Sequence, residues 1–294
     1  MWLSFLLANS ALSQCAIYVI RPAISYRTLE LHGSIFQLGL IGASYALLPV
    51  LVAISFGRLA TRVGEGKFLV IGTLGITTVG ILLGFVHSLL LIGILSALAG
   101  MSHLVCMIGG QSMVAIESES SAYAKNFGYY TFSASLGQTI GPALAGLFLS
   151  ASFFAFQPTR MTLIVGGLVA LLGLLPALRI SNIASKTTSD PAPLKISYVL
   201  KSQPIRRAII VSTIVSSSVD LLVIYLPALG VDRNYAPRTI GVILAIRALT
   251  AMVARLALGK LSARYSTKQI LFGSLLLSGF SAISIFFSES AVYL

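Results

Sequence analysis

The chain has 294 residues, of which 56% are hydrophobic and 10% charged, with a formal net charge of +12. A water-soluble domain of this length needs far more charge on its surface, so the composition excludes an ordinary soluble fold and calls for spans of about 20 apolar residues. The basic excess does not signify nucleic acid, because Lys and Arg punctuate apolar segments and do not gather into one patch.

In chain order, apolar stretches predict membrane helices at 3–25, 34–57, 68–87, 88–113, 127–152, 160–179, 207–230, 238–259 and 269–288. Helix is the only spanning state that fits them: an open sheet leaves its edge unsatisfied in lipid, and a barrel shows short alternating segments. The first stretch lacks a basic leader and a small-residue cleavage site, so it reads as a retained helix. Cys15 and Cys106 fall inside apolar stretches without metal-ligand spacing and read as packed side chains. A polar interruption divides the chain into 1–180, a six-helix bundle, 181–204, a cytoplasmic linker, and 205–294, the first three helices of a second bundle. The expected fold class is therefore all-α, a polytopic helical bundle. Counted loop by loop, thirteen Lys and Arg fall on one side, whereas Arg21, Arg27, Arg160, Arg233 and Arg238 make five on the other. That imbalance places the first side and the N-terminus in the cytoplasm of a multi-pass protein of the cell (inner) membrane.

The chain repeats itself. Laying 39–66 over 241–268, at a constant offset of 202 residues, gives eight identities in 28 positions, among them Gly39 with Gly241, Gly57 with Gly259 and Arg62 with Arg264. The loop after the second span reads Gly57-Arg58-Leu59-Ala60-Thr61-Arg62-Val63-Gly64-Glu65-Gly66-Lys67, with a degenerate copy at Gly259-Lys260-Leu261-Ser262-Ala263-Arg264. It resembles the signature between the second and third helices of the major facilitator superfamily, Gly-x-Leu-Ala-Asp-Arg-x-Gly-Arg-Lys. The resemblance implies a cytoplasmic gating motif of Gly57, Arg58, Leu59, Arg62, Gly64 and Lys67, with glycines allowing tight turning and close approach. The sequence departs from the pattern where the acidic residue is replaced by Thr61 and, in the second copy, by Ala263. In the fifth span, Gly128, Gly137, Gly141, Pro142 and Gly146 resemble the antiporter motif of drug and metabolite exporters, with Ala145 in place of one glycine. Generic helix packing explains the same spacing.

No nucleophile elbow, phosphate loop or metal-binding motif is present, so the chain does not read as an enzyme, and no cofactor or metal is expected. The informative residues are polar ones at membrane depth. At 1.5 Å per residue, Tyr18, His103, Asp220 and Arg247 fall in one layer, about 18–22 Å from the cytoplasmic ends of their spans. Gln14, Tyr18 and Arg21 share one helical face. The resemblance places helices one, four and seven around a central cavity, which makes Gln14, Tyr18, Arg21, His103, Asp220 and Arg247 the candidates for substrate and proton contacts. Asp220 and Arg247, on consecutive antiparallel helices, are expected to pair. The leading function is proton-driven efflux of a small molecule, with the lipid bilayer as surroundings and no nucleic acid. A sugar or organic-acid facilitator or importer is the alternative, and a non-transporting membrane protein is the rival of another class. The same offset applied to the sixth span predicts a second bundle ending near residue 381, three helices beyond Leu294.

Overall fold

The computed structural model describes residues 1–151, 157–181, 202–262 and 264–287. The described residues are helical almost throughout: α1 Trp2–Glu30, α2 Ile35–Val63, α3 Glu65–Leu83, α4 Leu89–Glu117, α5 Tyr123–Leu149, α6 Pro158–Ser181, α7 Gln203–Asp232, α8 Pro237–Ser262 and α9 Thr267–Phe287. Eight of them, α1 to α8, are long and apolar enough to cross a membrane. Each corresponds to an expected span, and most run past its ends. The expected linker, 181–204, lies for the most part outside the described residues.

The main packing partners are α1 with α5 and α6, α3 with α4 and α6, α2 with α4, and α5 with α8. Helix α1 is the central stave. Its polar residues Ser10, Gln14, Arg21, Ser25 and Thr28 are all buried, together with Asn9 and Arg27. In lipid the apolar side faces out and the polar side faces protein, so this stripe marks the interior. Asn9 shows why: its amide donates to Thr73 Oγ1 and to the Gly173 carbonyl, both at 2.9 Å, tying α1 to α3 and α6. At the far end of α1, Arg27 is almost wholly buried and donates to Gln157 at 2.8 Å and to the Val86 carbonyl at 3.3 Å. Because α1 continues to Glu30, Arg21 lies within the helix.

The duplication extends through all three helices of the second group. Shifted by 202 residues, α1 to α3 fall on 204–232, 237–265 and 267–285, matching α7 to α9 to within a few residues. Even the turns agree. His32 and Asn234, 202 apart, both adopt left-handed φ angles, 58° and 57°. The caps beside them, Leu31 and Arg233, donate to the Arg27 and Leu229 carbonyls, and His32 and Asn234 themselves donate to those of Leu29 and Val231.

Between α2 and α3 stands a single residue, Gly64, with φ 96°. A side chain there would sit in a region L-residues rarely adopt, so glycine is required. Contacts between the two groups of helices cluster toward the end bearing the α1–α2 and α7–α8 turns. There a Cβ on Gly42 would meet Ile224, one on Gly39 would meet Tyr225, and Gly146 lies against Gly241. Toward the α2–α3 end, Val50, Leu51 and Ile54 of α2 and Ile205, Ile209, Ile210 and Ile214 of α7 are exposed.

Candidate functional site

The site grows from α1. Arg21, 7% exposed, donates from Nη1 to Asp220 Oδ1 on α7 at 2.7 Å. Its guanidinium carbon also lies 4.5 Å from the ring centroid of Tyr45 on α2, a cation–π contact that desolvation strengthens. The Tyr45 hydroxyl is 2.7 Å from His103 Nδ1 on α4, and His103 Nε2 is 3.0 Å from the amide nitrogen of Gln14. Gln14 reaches Met107 Sδ at 3.0 Å and accepts from Gln138 of α5 at 3.4 Å. A continuous polar chain thus runs Gln138–Gln14–His103–Tyr45–Arg21–Asp220 through five helices, and it covers about 10 Å along α1 between Gln14 and Arg21. With the Gln14 nitrogen as the donor to Nε2, the matching tautomer of His103 carries its proton on Nδ1 and gives it to the Tyr45 oxygen.

Backbone chemistry shapes the same layer. Pro22, Pro49 and Pro142 lie inside α1, α2 and α5. A proline lacks the N–H that its helix would offer to the carbonyl four residues earlier. Those carbonyls belong to Tyr18, Tyr45 and Gln138, so three helices lose a backbone bond at the site.

The sequence-derived candidates divide in two. Gln14, Arg21, His103 and Asp220 meet in the chain, and Tyr18 is buried on the same helix among them. Arg247 is half-buried on α8, but the ion pair at Asp220 is made with Arg21, not with the expected Arg247. The reason is packing: α7 lies against α1, so the nearest buried counter-charge comes from the other bundle. Tyr45 was missing from the candidates. The repeat held the signal, because an offset of 202 sets Tyr45 opposite Arg247 and Tyr18 opposite Asp220.

The two motifs do not enter this layer in the same way. Of the gating-motif residues, Arg58, Leu59, Arg62 and Lys67 are exposed around the α2–α3 join, remote in sequence and depth from the polar chain. Gly57 meets nothing within 4 Å of a built Cβ, contrary to the close approach expected there; the tight contact is at Gly66, against Ile180 and Ser181 of α6. In the fifth helix Gly137 seats on Ala11 and Cys15 of α1, and Gly141 on Cys15 and Tyr18, whereas Gly146 seats on Pro237 and Gly241 of α8. Gly128 has no such neighbour. Gly137 and Gly141 therefore fix the α1–α5 wall of the site, and Gly146 fixes the seam between α5 and α8. Among the described residues, no cluster of His, Cys, Asp and Glu could hold a metal ion.

The family model of the Major Facilitator Superfamily matches residues 6–294, and the chain belongs to that superfamily. It is 25% identical over 224 residues to the quinolone resistance protein NorA of Staphylococcus aureus (strain MSSA476), covering 74% of this chain and 55% of that protein. It is 26% identical over 152 residues to the multidrug resistance protein MdtG of Klebsiella pneumoniae (strain 342), covering 50% and 37%. The chain thus spans about half the length, or less, of these curated relatives. The fold resembles crystal structures of a bacterial homolog to the human lysosomal transporter Spinster. The inward-facing, unoccupied form superposes with TM-score 0.76 at 15% identity, over 99% of this chain and 69% of that one. The inward-facing, occupied form superposes with TM-score 0.73 at 16% identity, over 99% and 68%.

Proposed function

We propose that this chain works in a secondary transporter that exports a small molecule in exchange for protons, by alternating access, with Asp220 as the proton-carrying group. The observation that carries the reading is the Arg21–Asp220 ion pair, which joins the two repeats at mid-membrane depth. A pair that spans two moving bodies can report on both: opening it changes the charge state that the carboxylate favours, and protonating the carboxylate loosens the bundles. The relatives NorA and MdtG, resistance proteins both, support the direction of transport. Gln14, Tyr18, His103 and Arg247 are proposed to line the path with the pair. The α2–α3 end is proposed to be cytoplasmic, with 181–204 as the linker on that side. The exposed arginines Arg58 and Arg62 would there face lipid phosphates and the negative end of α2.

The test is flux in proteoliposomes with an imposed pH gradient, using a panel of fluorescent dyes, for the wild type and Asp220→Asn. Gradient-driven transport that Asp220→Asn abolishes, with substrate exchange partly retained, is expected. Transport indifferent to the gradient would overturn the proton-coupled reading.

A further inference from the structure

Resting on the proton-exchange reading above, we propose that the site takes a zwitterion, a small molecule carrying both a protonated amine and a carboxylate, which enters between Arg21 and Asp220. Among the described residues Asp220 is the carboxylate at mid-membrane depth, and it is already engaged by Arg21 at 2.7 Å. A ligand that uses this layer has to open that pair, and the charge of the ligand decides what opening it leaves behind.

Three classes of ligand can be compared. A simple cation takes Asp220 and leaves the guanidinium, 7% exposed, with the Tyr45 ring face as its remaining partner. A simple anion takes Arg21 and leaves the carboxylate without its counter-charge, unless a proton binds with the ligand. Such co-binding makes cotransport, the opposite of exchange. A zwitterion gives each group a new partner, so neither buried charge is left uncompensated. It also requires Asp220 to be ionised, so ligand and proton compete for the same state, which is the linkage that exchange needs.

The geometry fixes the direction of entry. On the side of Arg21 facing the α1–α2 turn lies a cavity of about 10 Å³, lined by Arg21, Ile24, Leu38, Tyr45 and Ile224, room for one water and nothing larger. The Asp220 side chain, in contrast, is 41% exposed. The amine end therefore meets Asp220 first, and the carboxylate follows to Arg21, whose plane Tyr45 holds in place. Around the pair stand Tyr18 of α1, Tyr45 of α2 and His103 of α4, none of which brings a second carboxylate, and that suits a ligand with an anionic end.

Equilibrium binding to the protein in nanodiscs tests this without requiring transport. Two matched sets serve as probes: phenylalanine, phenethylamine and hydrocinnamate; and tryptophan, tryptamine and indolepropionate. In at least one set the amino acid should bind about tenfold more tightly than its amine and its acid, and its binding should weaken as the pH is lowered. Asp220→Asn should shift the preference toward the acid, and Arg21→Gln toward the amine. If either variant does not fold, the wild-type ranking still decides. An amine or an acid that matches the amino acid in both sets, or no binding by any of the six compounds, overturns the proposal. Gradient-driven dye flux with an amine preference would sink the zwitterion and leave proton exchange standing. A zwitterion preference with no gradient-driven flux would do the reverse.

Discussion

Arg21 is held from two sides by unlike forces, a carboxylate at 2.7 Å and an aromatic face at 4.5 Å. Removing one partner of a buried pair costs more than removing both, because the survivor keeps its desolvation without its attraction. Asp220 is 41% exposed, so the cost is discounted for solvent screening. Arg21→Gln should lower unfolding stability by about 1–3 kcal/mol and the double change with Asp220→Asn by less than the sum of the singles. Strictly additive losses would count against the pairing. Tyr45→Phe isolates the other contact: it keeps the ring beneath Arg21 and loses the bond to His103, at a cost of about 0.5–1.5 kcal/mol. Tyr45→Leu should cost clearly more, since it removes the cation–π contact as well. Equal losses for the two would mean the ring face contributes nothing. At this scale the sequence was partly legible. Depth along each helix put Tyr18, His103, Asp220 and Arg247 in one layer, because a rise of 1.5 Å per residue is a fixed property of the helix, and helical spacing put Gln14 on the face of Tyr18 and Arg21; the structure links Gln14, His103, Arg21 and Asp220 through Tyr45. The partner of Asp220 was not legible, because it lies 199 residues away and is chosen by which helices touch. Tyr45 escaped notice because a tyrosine in an apolar span usually packs.

Between elements, glycine positions separate what the motifs share. Gly57 and Gly64 belong to one signature, yet Gly57 sits inside α2 with open space at its Cβ, whereas Gly64 is the whole join between α2 and α3 at φ 96°. Gly57→Ala should be neutral or stabilise by about 0.5–1 kcal/mol through helix propensity, whereas Gly64→Ala should destabilise by roughly 1–2 kcal/mol. The order of the two unfolding midpoints is the measurement, and a reversed order would refute the assignment. In α5 the corresponding contrast is Gly128 with Gly146: a Cβ at Gly146 would lie 3.0 Å from the Gly241 Cα, and one at Gly128 meets nothing within 4 Å. Gly146→Leu should therefore impair assembly of α8 on α5, read as loss of monodispersity in detergent, and Gly128→Leu should not. Spans were legible in the sequence from apolar length alone. Which face of each helix is inside was not, since a lipid-facing side is as apolar as a packed one, and buried polar side chains, most of them in the stripe of α1, are what break that symmetry.

For the molecule as a whole, the repeat was legible from eight identities in the second and eighth spans. Its reach was not: the agreement of α1 with α7, and of the left-handed turn residues His32 and Asn234, lies in backbone geometry that little sequence identity records. Topology is the property most directly open to test. His32→Cys and Ser118→Cys sit in the α1–α2 and α4–α5 connections, and an impermeant thiol reagent on intact cells should label the first and spare the second. The native Cys15 and Cys106 are buried and should stay silent in the unmodified chain. Labelling at Ser118→Cys alone would invert the orientation.

The single-residue join at Gly64 has a mechanical consequence. Two long rods that share one residue have no slack between them, so a tilt of α2 is passed to α3 as a lever passes torque through its elbow. The short arm of that lever presses Gly66 onto Ile180 and Ser181, the last described residues before the chain leaves for its second half. Motion that begins beneath Arg21, at Tyr45 on α2, thus has a direct route, past Pro49, to the point where the two repeats are strung together.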